Sequence, residues 1–248
     1  MGLKSGLLHI YDVTSARLLE VVEAHDGSVR TLAIRPDKRG FASGGSDKKV
    51  HFWDFEWNDG NVDENGDDMK NTSLSVALMR TFEVSDEVLF VKYSPDQKLI
   101  GVALIDSTIK LFYHDTLKLY LTLFGHKLPV TSFDISSDNL MLISSSADKS
   151  IKVWGLDFGD CRKSLSGHTE SVKMVCFIAN THYFISISRD KSIRYWDGDK
   201  FELISVVGHH LGEISGMCMS RFGGFFVTCS QDKSLKVWNR TDEQVGGH

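Results

Sequence analysis

The sequence predicts an all-β protein of the propeller type. Two observations predict it. Landmark residues recur with a period of 42 residues, as from Asp106 to Asp148 and Asp190, and periods of this size are typical of propeller blades. Short alternating and β-branched runs also lie between turn residues, and the chain has 21 glycines but only 3 prolines. This pattern indicates strands joined by tight turns.

Four landmarks define each complete repeat. A turn aspartate is followed six residues later by a tryptophan, and it is preceded by a serine or threonine at four residues and a histidine at 22 residues. The complete sets are His25, Ser43, Asp47, Trp53; His126, Ser144, Asp148, Trp154; His168, Ser186, Asp190, Trp196; and His210, Thr228, Asp232, Trp238. Four landmarks in register over four repeats are far more specific than any single motif.

This pattern resembles the WD-repeat family, whose blades carry a GH…WD signature over four strands. The resemblance covers essentially the whole chain. It implies that in each repeat the tryptophan N–H donates to the Ser/Thr hydroxyl, which donates to the histidine, which donates to the aspartate. It also implies that these groups are half buried between blades, where an unpaired member would cost ~1–3 kcal/mol.

The second repeat departs from the landmarks as a set. Val84, Val102 and Phe112 replace histidine, serine and tryptophan together, and Asp106 alone remains. Removing one member of a buried hydrogen-bonded set leaves its partners unsatisfied, whereas replacing the set with apolar side chains can be nearly neutral. We therefore expect the polar network to behave as a unit.

Several strings resemble one branch of the family more closely, the twin-propeller WD-repeat subunits of the small-subunit processome. Examples are AHDGSV at 24–29, FGHKLPV at 124–130 and WGLDFGDCRKSL at 154–165. This resemblance implies a scaffold in the nucleus and nucleolus that supports 18S rRNA maturation. Its implied partners are other WD-repeat processome proteins, with pre-ribosomal RNA or the U3 small nucleolar ribonucleoprotein contacted indirectly. The branch also has an upstream propeller and a downstream helical segment.

The spacing predicts one propeller domain over residues 1–248 with an acidic insertion at 55–73. The predicted repeats are 1–22 (partial), 23–82, 83–123, 124–165, 166–207 and 208–248. Residues 3–22 are expected to supply only the outer strand pair of a first blade, and the chain to end soon after the third strand of a sixth. Because WD propellers usually have seven blades, the resemblance implies an incomplete seven-bladed wheel of four-stranded antiparallel blades, with roughly one and a half blades outside this sequence.

Composition excludes several classes of protein. The net charge of −5 argues against a dominant nucleic-acid surface. The four cysteines lack CxxC spacing, which gives no support to a zinc or dithiol site. No run approaches the ~18 apolar residues of a membrane span, and the N-terminus lacks a signal-peptide core. These features predict a soluble intracellular protein without a membrane partner.

Two motifs suggest chemistry but favour simpler interpretations. Ser, His and Asp could form a hydrolytic triad, yet an enzyme needs one such site and this set occurs four times. Residues 61–66 of the acidic insertion resemble the first half of an EF-hand loop, but Thr72 stands where the bidentate glutamate belongs. We therefore expect no catalytic residues, no metal, no cofactor and no small-molecule substrate, and we expect the insertion to be a solvated loop.

A lysine follows the turn aspartate in four repeats: Lys48, Lys149, Lys191 and Lys233. In the family these turns share one face, so the lysines form a candidate binding face for an acidic partner or an RNA backbone. The simpler interpretation is a common solvated turn. The predicted function is a non-catalytic interaction scaffold of the processome, and the alternative is a general WD-repeat adaptor, such as a ubiquitin-ligase substrate receptor or a trafficking scaffold.

Overall fold

The computed structural model describes residues 1–58 and 73–240, and within these residues it contains 21 β-strands and no helix. No helix in this part of the chain could therefore span a membrane. The chain divides into two compact units, Met1–Tyr120 and Leu121–His248. The all-β class predicted from the sequence is confirmed, while the single domain and the seven-blade wheel stay predictions.

The first unit contains a strand pair and two four-stranded sheets. The N-terminal pair is the antiparallel hairpin β1–β2, and we call the sheet β3–β6 blade 1 and the sheet β7–β10 blade 2. Their strands are β1 (Leu7–Asp12), β2 (Arg17–Glu23), β3 (Val29–Ile34), β4 (Gly40–Gly45), β5 (Lys49–Asn58), β6 (Ser73–Glu83), β7 (Val88–Tyr93), β8 (Leu99–Leu104), β9 (Ile109–Tyr113) and β10 (Leu119–Leu123). The last of these runs from the first unit into the second.

The second unit contains two four-stranded sheets and one three-stranded sheet among its described residues. We call β11–β14 blade 3, β15–β18 blade 4 and β19–β21 blade 5. Their strands are β11 (Val130–Ile135), β12 (Met141–Ser146), β13 (Ile151–Gly155), β14 (Cys161–Leu165), β15 (Val172–Phe177), β16 (Tyr183–Ser188), β17 (Ser192–Asp197), β18 (Glu202–His209), β19 (Ile214–Met219), β20 (Phe225–Ser230) and β21 (Leu235–Asn239). Each sheet is an antiparallel meander in sequence order, as the repeat predicts.

Two local features recur in every blade. The first strand carries a register shift one residue after its start, as between Val130 and Ser132 in blade 3. The turn between the second and third strands places one residue in the left-handed region, with φ of 71° at Lys149 and 70° at Lys191. The aspartate before it accepts from the backbone N–H two residues later, 2.9 Å from Ser150 N to Asp148 Oδ1. This bond offsets the cost of the left-handed residue and sets the turn.

Blade 1 differs from the others in the length of its outer hairpin. Strand β5 continues through Asn58 and pairs with β6 from Ser73 onward. The prediction of a solvated loop over 55–73 is therefore wrong at its ends, because Phe55 packs against Phe41 and its backbone pairs with Val76. The EF-hand-like segment lies at 59–72, outside the described residues.

The cores lie between neighbouring blades of each unit. In the first unit, Val91, Ile100 and Val102 of blade 2 pack against Ala42 and Val50 of blade 1, among other buried residues. In the second unit, one apolar cluster joins blades 3 and 4 and another joins blades 4 and 5. Burying one large apolar side chain contributes about 1.5–3 kcal/mol, so these clusters supply most of the cohesion.

Blades 3 and 4 are also joined by polar contacts from β11 to β15. The buried Asp134 accepts from Phe177 N at 2.9 Å, and Ser132 Oγ accepts from Val175 N at 3.0 Å. In both contacts a backbone N–H of β15 donates to a side-chain oxygen of β11, so these backbone donors are satisfied. They fix how the first strands of the two blades align.

Candidate functional site

The polar network of blade 3 begins at a tryptophan and ends at a carboxylate. Trp154 Nε1 donates to Ser144 Oγ at 2.8 Å, and Ser144 Oγ lies 2.7 Å from His126 Nε2. His126 Nδ1 lies 2.9 Å from Asp148 Oδ2. Because an indole N–H is only a donor and a carboxylate is only an acceptor, the serine hydroxyl donates to Nε2 and Nδ1–H donates to the aspartate.

The structure brings together the predicted set in each of the other three complete repeats. The three distances, taken in the order Trp to Ser/Thr, Ser/Thr to His, and His to Asp, are nearly constant. They are 2.9, 2.8 and 2.9 Å for Trp53, Ser43, His25 and Asp47; 2.8, 2.7 and 2.8 Å for Trp196, Ser186, His168 and Asp190; and 2.9, 2.8 and 3.0 Å for Trp238, Thr228, His210 and Asp232.

The protonation states follow from burial and hydrogen bonding. Burial lowers the pKa of His126 and of His168, although the aspartate beside each ring opposes the shift. Burial alone would raise the pKa of Asp148, but hydrogen bonds from the Ser150 hydroxyl, the Lys127 N–H and His126 bring it to about 2. Near neutral pH the network therefore joins a neutral imidazole to an ionised carboxylate.

Ser, His and Asp have the connectivity of a hydrolytic triad, but the hydroxyl cannot reach a substrate. Ser144 is 0% exposed, and its oxygen already accepts from Trp154 while its proton lies on His126. A nucleophile must present its oxygen to a bound substrate. The same burial holds for Ser43, Ser186 and Thr228, so none of these hydroxyls is exposed to solvent.

Blade 2 has an apolar cluster at the equivalent place. Val102 and Phe112 are buried and belong to the core between blades 1 and 2, with Val84 packed against it. The Phe112 ring meets Phe82 edge to face, with centroids 4.8 Å apart. Asp106 keeps only its turn contacts, accepting from the backbone and hydroxyl of Thr108 at 2.9 and 2.6 Å.

The four candidate-face lysines lie at the left-handed positions of their turns. Lys48 Nζ is 3.4 Å from Asp86, and Lys149 Nζ is 3.4 Å from Glu170. Both acidic residues belong to the next repeat along the chain. Lys191 and Lys233 are exposed. In each unit, therefore, a lysine of this kind lies beside a carboxylate, and the charge at these turns is mixed.

The second unit repeats this pairing with an arginine. Arg189, next to the turn aspartate of blade 4, donates through Nε and Nη2 to the two Glu213 oxygens of blade 5, each at 2.8 Å. This bidentate pair lowers the pKa of Glu213, with Lys173 and Lys191 contributing less. Cations of one blade therefore pair with carboxylates of the next at these turns.

Sequence reasoning did not identify several polar groups that the fold brings together. His182 of blade 4 lies 2.8 Å from Asp138 of blade 3 and 2.7 Å from Asp199. His51 of blade 1 lies against His25, with ring centroids 4.5 Å apart. Only the position of His51, where other repeats have lysine or arginine, could have drawn attention to it in the sequence.

An apolar cavity of about 340 Å³ lies in the first unit. Leu8 and Ile10 of the N-terminal pair line one side, and Leu32, Ile34 and Phe41 of blade 1 line the other. Ile34 is 62% exposed although it is on the first strand of its blade.

Comparison with known proteins assigns the chain to a family. Residues 1–245 match the family described as the WDR3 second beta-propeller domain. Human WD repeat-containing protein 3 is 50% identical over 130 residues, which are 52% of this chain and 13% of that protein. U3 small nucleolar RNA-associated protein 12 of Saccharomyces cerevisiae is 42% identical over 138 residues, 54% of this chain and 14% of that protein.

A more distant relative has a similar name. U3 small nucleolar RNA-associated protein 21 of Saccharomyces cerevisiae is 26% identical over 161 residues, 65% of this chain and 15% of that protein. The matched segment is thus a small part of each relative's length. The predicted propeller of four-stranded blades and the WD-repeat family are both confirmed by the family match.

Proposed function

Because the chain belongs to the WDR3 second beta-propeller domain family, we propose that it is a protein-interaction platform in ribosome biogenesis, within the small-subunit processome of the nucleolus. The observation that carries this proposal is the family match over residues 1–245. The yeast relative named for association with U3 small nucleolar RNA supports the same assignment. The scaffold supports maturation of the 18S rRNA through the proteins it holds.

A non-catalytic role is supported by the way the chain uses its reactive side chains. The serine and threonine hydroxyls of the four networks are buried and have both a donor and an acceptor in place. Their protons and lone pairs are used inside the sheets, where they fix strand register. What the turns present to solvent is charge, which suits recognition rather than chemistry.

The mixed charge of the turns favours protein partners over an RNA backbone. A surface that binds RNA phosphates gains affinity by neutralising them with free cations. Lys149 and Arg189 are instead paired with Glu170 and Glu213, so part of their charge is already compensated. We propose that other WD-repeat proteins of the processome contact this surface and that RNA is held indirectly.

The test is affinity purification of the full-length protein that contains this chain, followed by mass spectrometry and quantification of U3 small nucleolar RNA. We expect WD-repeat processome proteins and U3 RNA in the wild-type sample. A double variant, Lys191→Glu with Lys233→Glu, should reduce recovery of the protein partners and leave the melting temperature unchanged, because both lysines are exposed.

The matched control is Lys163→Glu with Lys200→Glu, which changes the same charge at exposed lysines away from these turns and should leave recovery unchanged. Recovery of ubiquitin-ligase or vesicle-coat subunits without U3 RNA would replace the processome role with the general adaptor. Equal losses in both double variants would remove the lysine turns from the proposal while leaving the processome role.

A further inference from the structure

Blade 1 has a histidine where the other blades have a cation. Two residues before the aromatic landmark stand His51 in blade 1, Lys110 in blade 2, Lys152 in blade 3, Arg194 in blade 4 and Lys236 in blade 5. The charges of Lys152 and Arg194 act on the network histidines of their own blades, His126 and His168. Blade 1 therefore replaces a charge that repels cations with a nitrogen donor that can bind them.

We propose that His25, Asp47 and His51 form a binding site for a divalent transition metal of the zinc class. One ligand atom from each residue lies within 4.8 Å of the other two. Two imidazole nitrogens and a carboxylate oxygen are donors that Zn²⁺ prefers, and with three protein ligands a fourth position stays open to water. In blade 1, His25 and Asp47 thus belong both to the polar network and to the metal site.

The carboxylate of Asp47 is less saturated than its counterparts. Asp148 accepts a 2.6 Å bond from the Ser150 hydroxyl and a 2.9 Å bond from Ser150 N. Asp47 has Lys49 at the matching position, which supplies only a backbone bond of 3.3 Å. Because Asp47 lacks the hydroxyl donor, its oxygens keep accepting capacity for a cation.

Among the described residues one cation, Lys49, acts on both His25 and His51, and this cation is paired with a carboxylate. The Lys49 ammonium lies 3.3 Å from Asp26 and pairs with that carboxylate. Histidine binds metals in its neutral form.

The second ring nitrogens are held by partners that orient metal ligands in proteins generally. His51 Nδ1 lies 2.9 Å from Thr81 Oγ1, and His25 Nε2 lies 2.8 Å from Ser43 Oγ. When Nδ1 of His51 donates to Thr81, its Nε2 presents a lone pair toward the site. Such outer partners fix the ring tautomer and orientation, and their loss typically weakens metal binding 10–100-fold.

Metal binding requires small rearrangements of atoms and of one proton. Zinc ligands lie about 2.0–2.2 Å from the ion, so donors on one ion lie roughly 3–3.5 Å apart. A ligand atom as far away as 4.8 Å must therefore move by roughly 1–2 Å. The His25 ring proton moves from Nδ1 to Nε2, and the Nε2–H group then donates to Ser43 Oγ in place of the bond that the Ser43 hydroxyl now donates to Nε2. The ion takes the place of the His25–Asp47 hydrogen bond.

The test is titration of the purified chain with Zn²⁺ by calorimetry, and with Co²⁺ by its visible absorption. We expect one equivalent of metal and a metal-dependent rise in melting temperature. His51→Lys places in blade 1 the residue of blades 3 and 5, so the variant should fold. It should bind Zn²⁺ at least about 100-fold more weakly, since it removes a ligand, whereas Thr81→Val should weaken binding roughly tenfold.

The matched control is His182→Gln, which removes another histidine that contacts two carboxylates. It should leave zinc affinity unchanged. If His51→Lys unfolds, His51→Gln provides the same loss of a ligand without a new charge. Absence of binding to the folded wild-type chain, binding that survives both His51 variants, or binding lost in His182→Gln would each overturn the proposal.

Discussion

At equivalent positions blade 3 buries a hydrogen-bonded polar set of side chains, and blade 2 buries an apolar set. Blade 3 carries Ser144 on its second strand and Trp154 on its third and joins both to His126 in a network, whereas blade 2 carries Val102 and Phe112 on the equivalent strands. Both serine and valine are 0% exposed. The comparison teaches that the set of residues matters, because a polar member is stable here only when its partners are present.

The aspartate is the exception, and its second role explains why it is retained. Asp106 and Asp148 each accept from the backbone two residues ahead, at the left-handed turn between the second and third strands. This role does not need a histidine. The aspartate therefore persists in blade 2 while the other three landmarks are replaced.

The largest expected effect comes from removing the centre of an intact network. Ser144→Val should lower the free energy of unfolding by about 2–5 kcal/mol, because it leaves both His126 Nε2 and Trp154 Nε1 buried without a partner. Ser144→Thr is the control, since threonine holds this place in blade 5 as Thr228. Chemical denaturation measures the free energy of unfolding of both variants. Equal losses in the two would show that the shape of the side chain, and not its hydrogen bonding, determines stability at this position.

A second expected effect reverses the comparison in blade 2. Val102→Ser alone should cost ~1–3 kcal/mol, because the new hydroxyl is buried without a partner. The triple variant Val84→His, Val102→Ser and Phe112→Trp should be more stable than the sum of its single changes predicts, by roughly 1 kcal/mol or more. Denaturation of all four variants measures the coupling, and strict additivity would contradict a network that acts as a unit.

A third effect separates the two roles of the aspartate. Asp190→Ala should cost ~1–3 kcal/mol, because it leaves His168 and the turn donors unsatisfied. Asp106→Ala should cost less, because only the turn contacts of Thr108 are lost. Thermal melts of the two variants decide this. A loss at Asp106 as large as that at Asp190 would assign the whole effect to the turn.

The same aspartate makes stability depend on acid. Burial opposes the shift, but bonds from Ser192 and His168 hold the pKa of Asp190 at about 2, below its ordinary value of 3.8. Its contribution is therefore complete above about pH 4 and is lost as the pH falls toward 2. In Asp190→Ala this part of the acid dependence should disappear, as denaturation at stepped pH would measure.

The smallest effect concerns the histidine that joins blades 3 and 4. Burial lowers the pKa of His182, but its bonds to Asp138 and Asp199 outweigh this and raise the pKa above 6.5. The contribution is fully present below pH 6.5 and is lost as the pH rises through the raised value. His182→Gln should cost under about 1 kcal/mol at pH 6, since these side chains are partly exposed.

The pH comparison also provides the control for that variant. The difference between wild type and His182→Gln should shrink when denaturation is repeated above the raised pKa of His182. Ser192→Ala, in the same blade but away from this contact, should show no such convergence between these pH values. A pH-independent difference for His182→Gln would show that the ring acts by packing alone.

The repeat in the sequence was enough to predict the strands, and the family resemblance implied the network. Because the landmarks lie at constant spacing, the strand that carries Ser144 and the strand that carries Trp154 were identifiable, and the structure pairs them. The insertion was predicted less well. Its first residues continue β5 because Phe55 packs against Phe41, a contact that the polar residues around it did not indicate.

What the sequence by itself determined is the period, and with it the four-stranded meander and the repeated His, Ser/Thr, Asp and Trp. Only the tertiary structure decided which charges meet. Lys149 pairs with Glu170, His182 joins Asp138 to Asp199, and His51 lies against His25. The contacts of Lys149 with Glu170 and of His182 with Asp138 join different blades, so their distances depend on how the sheets pack and twist. Spacing within one repeat carries no such information.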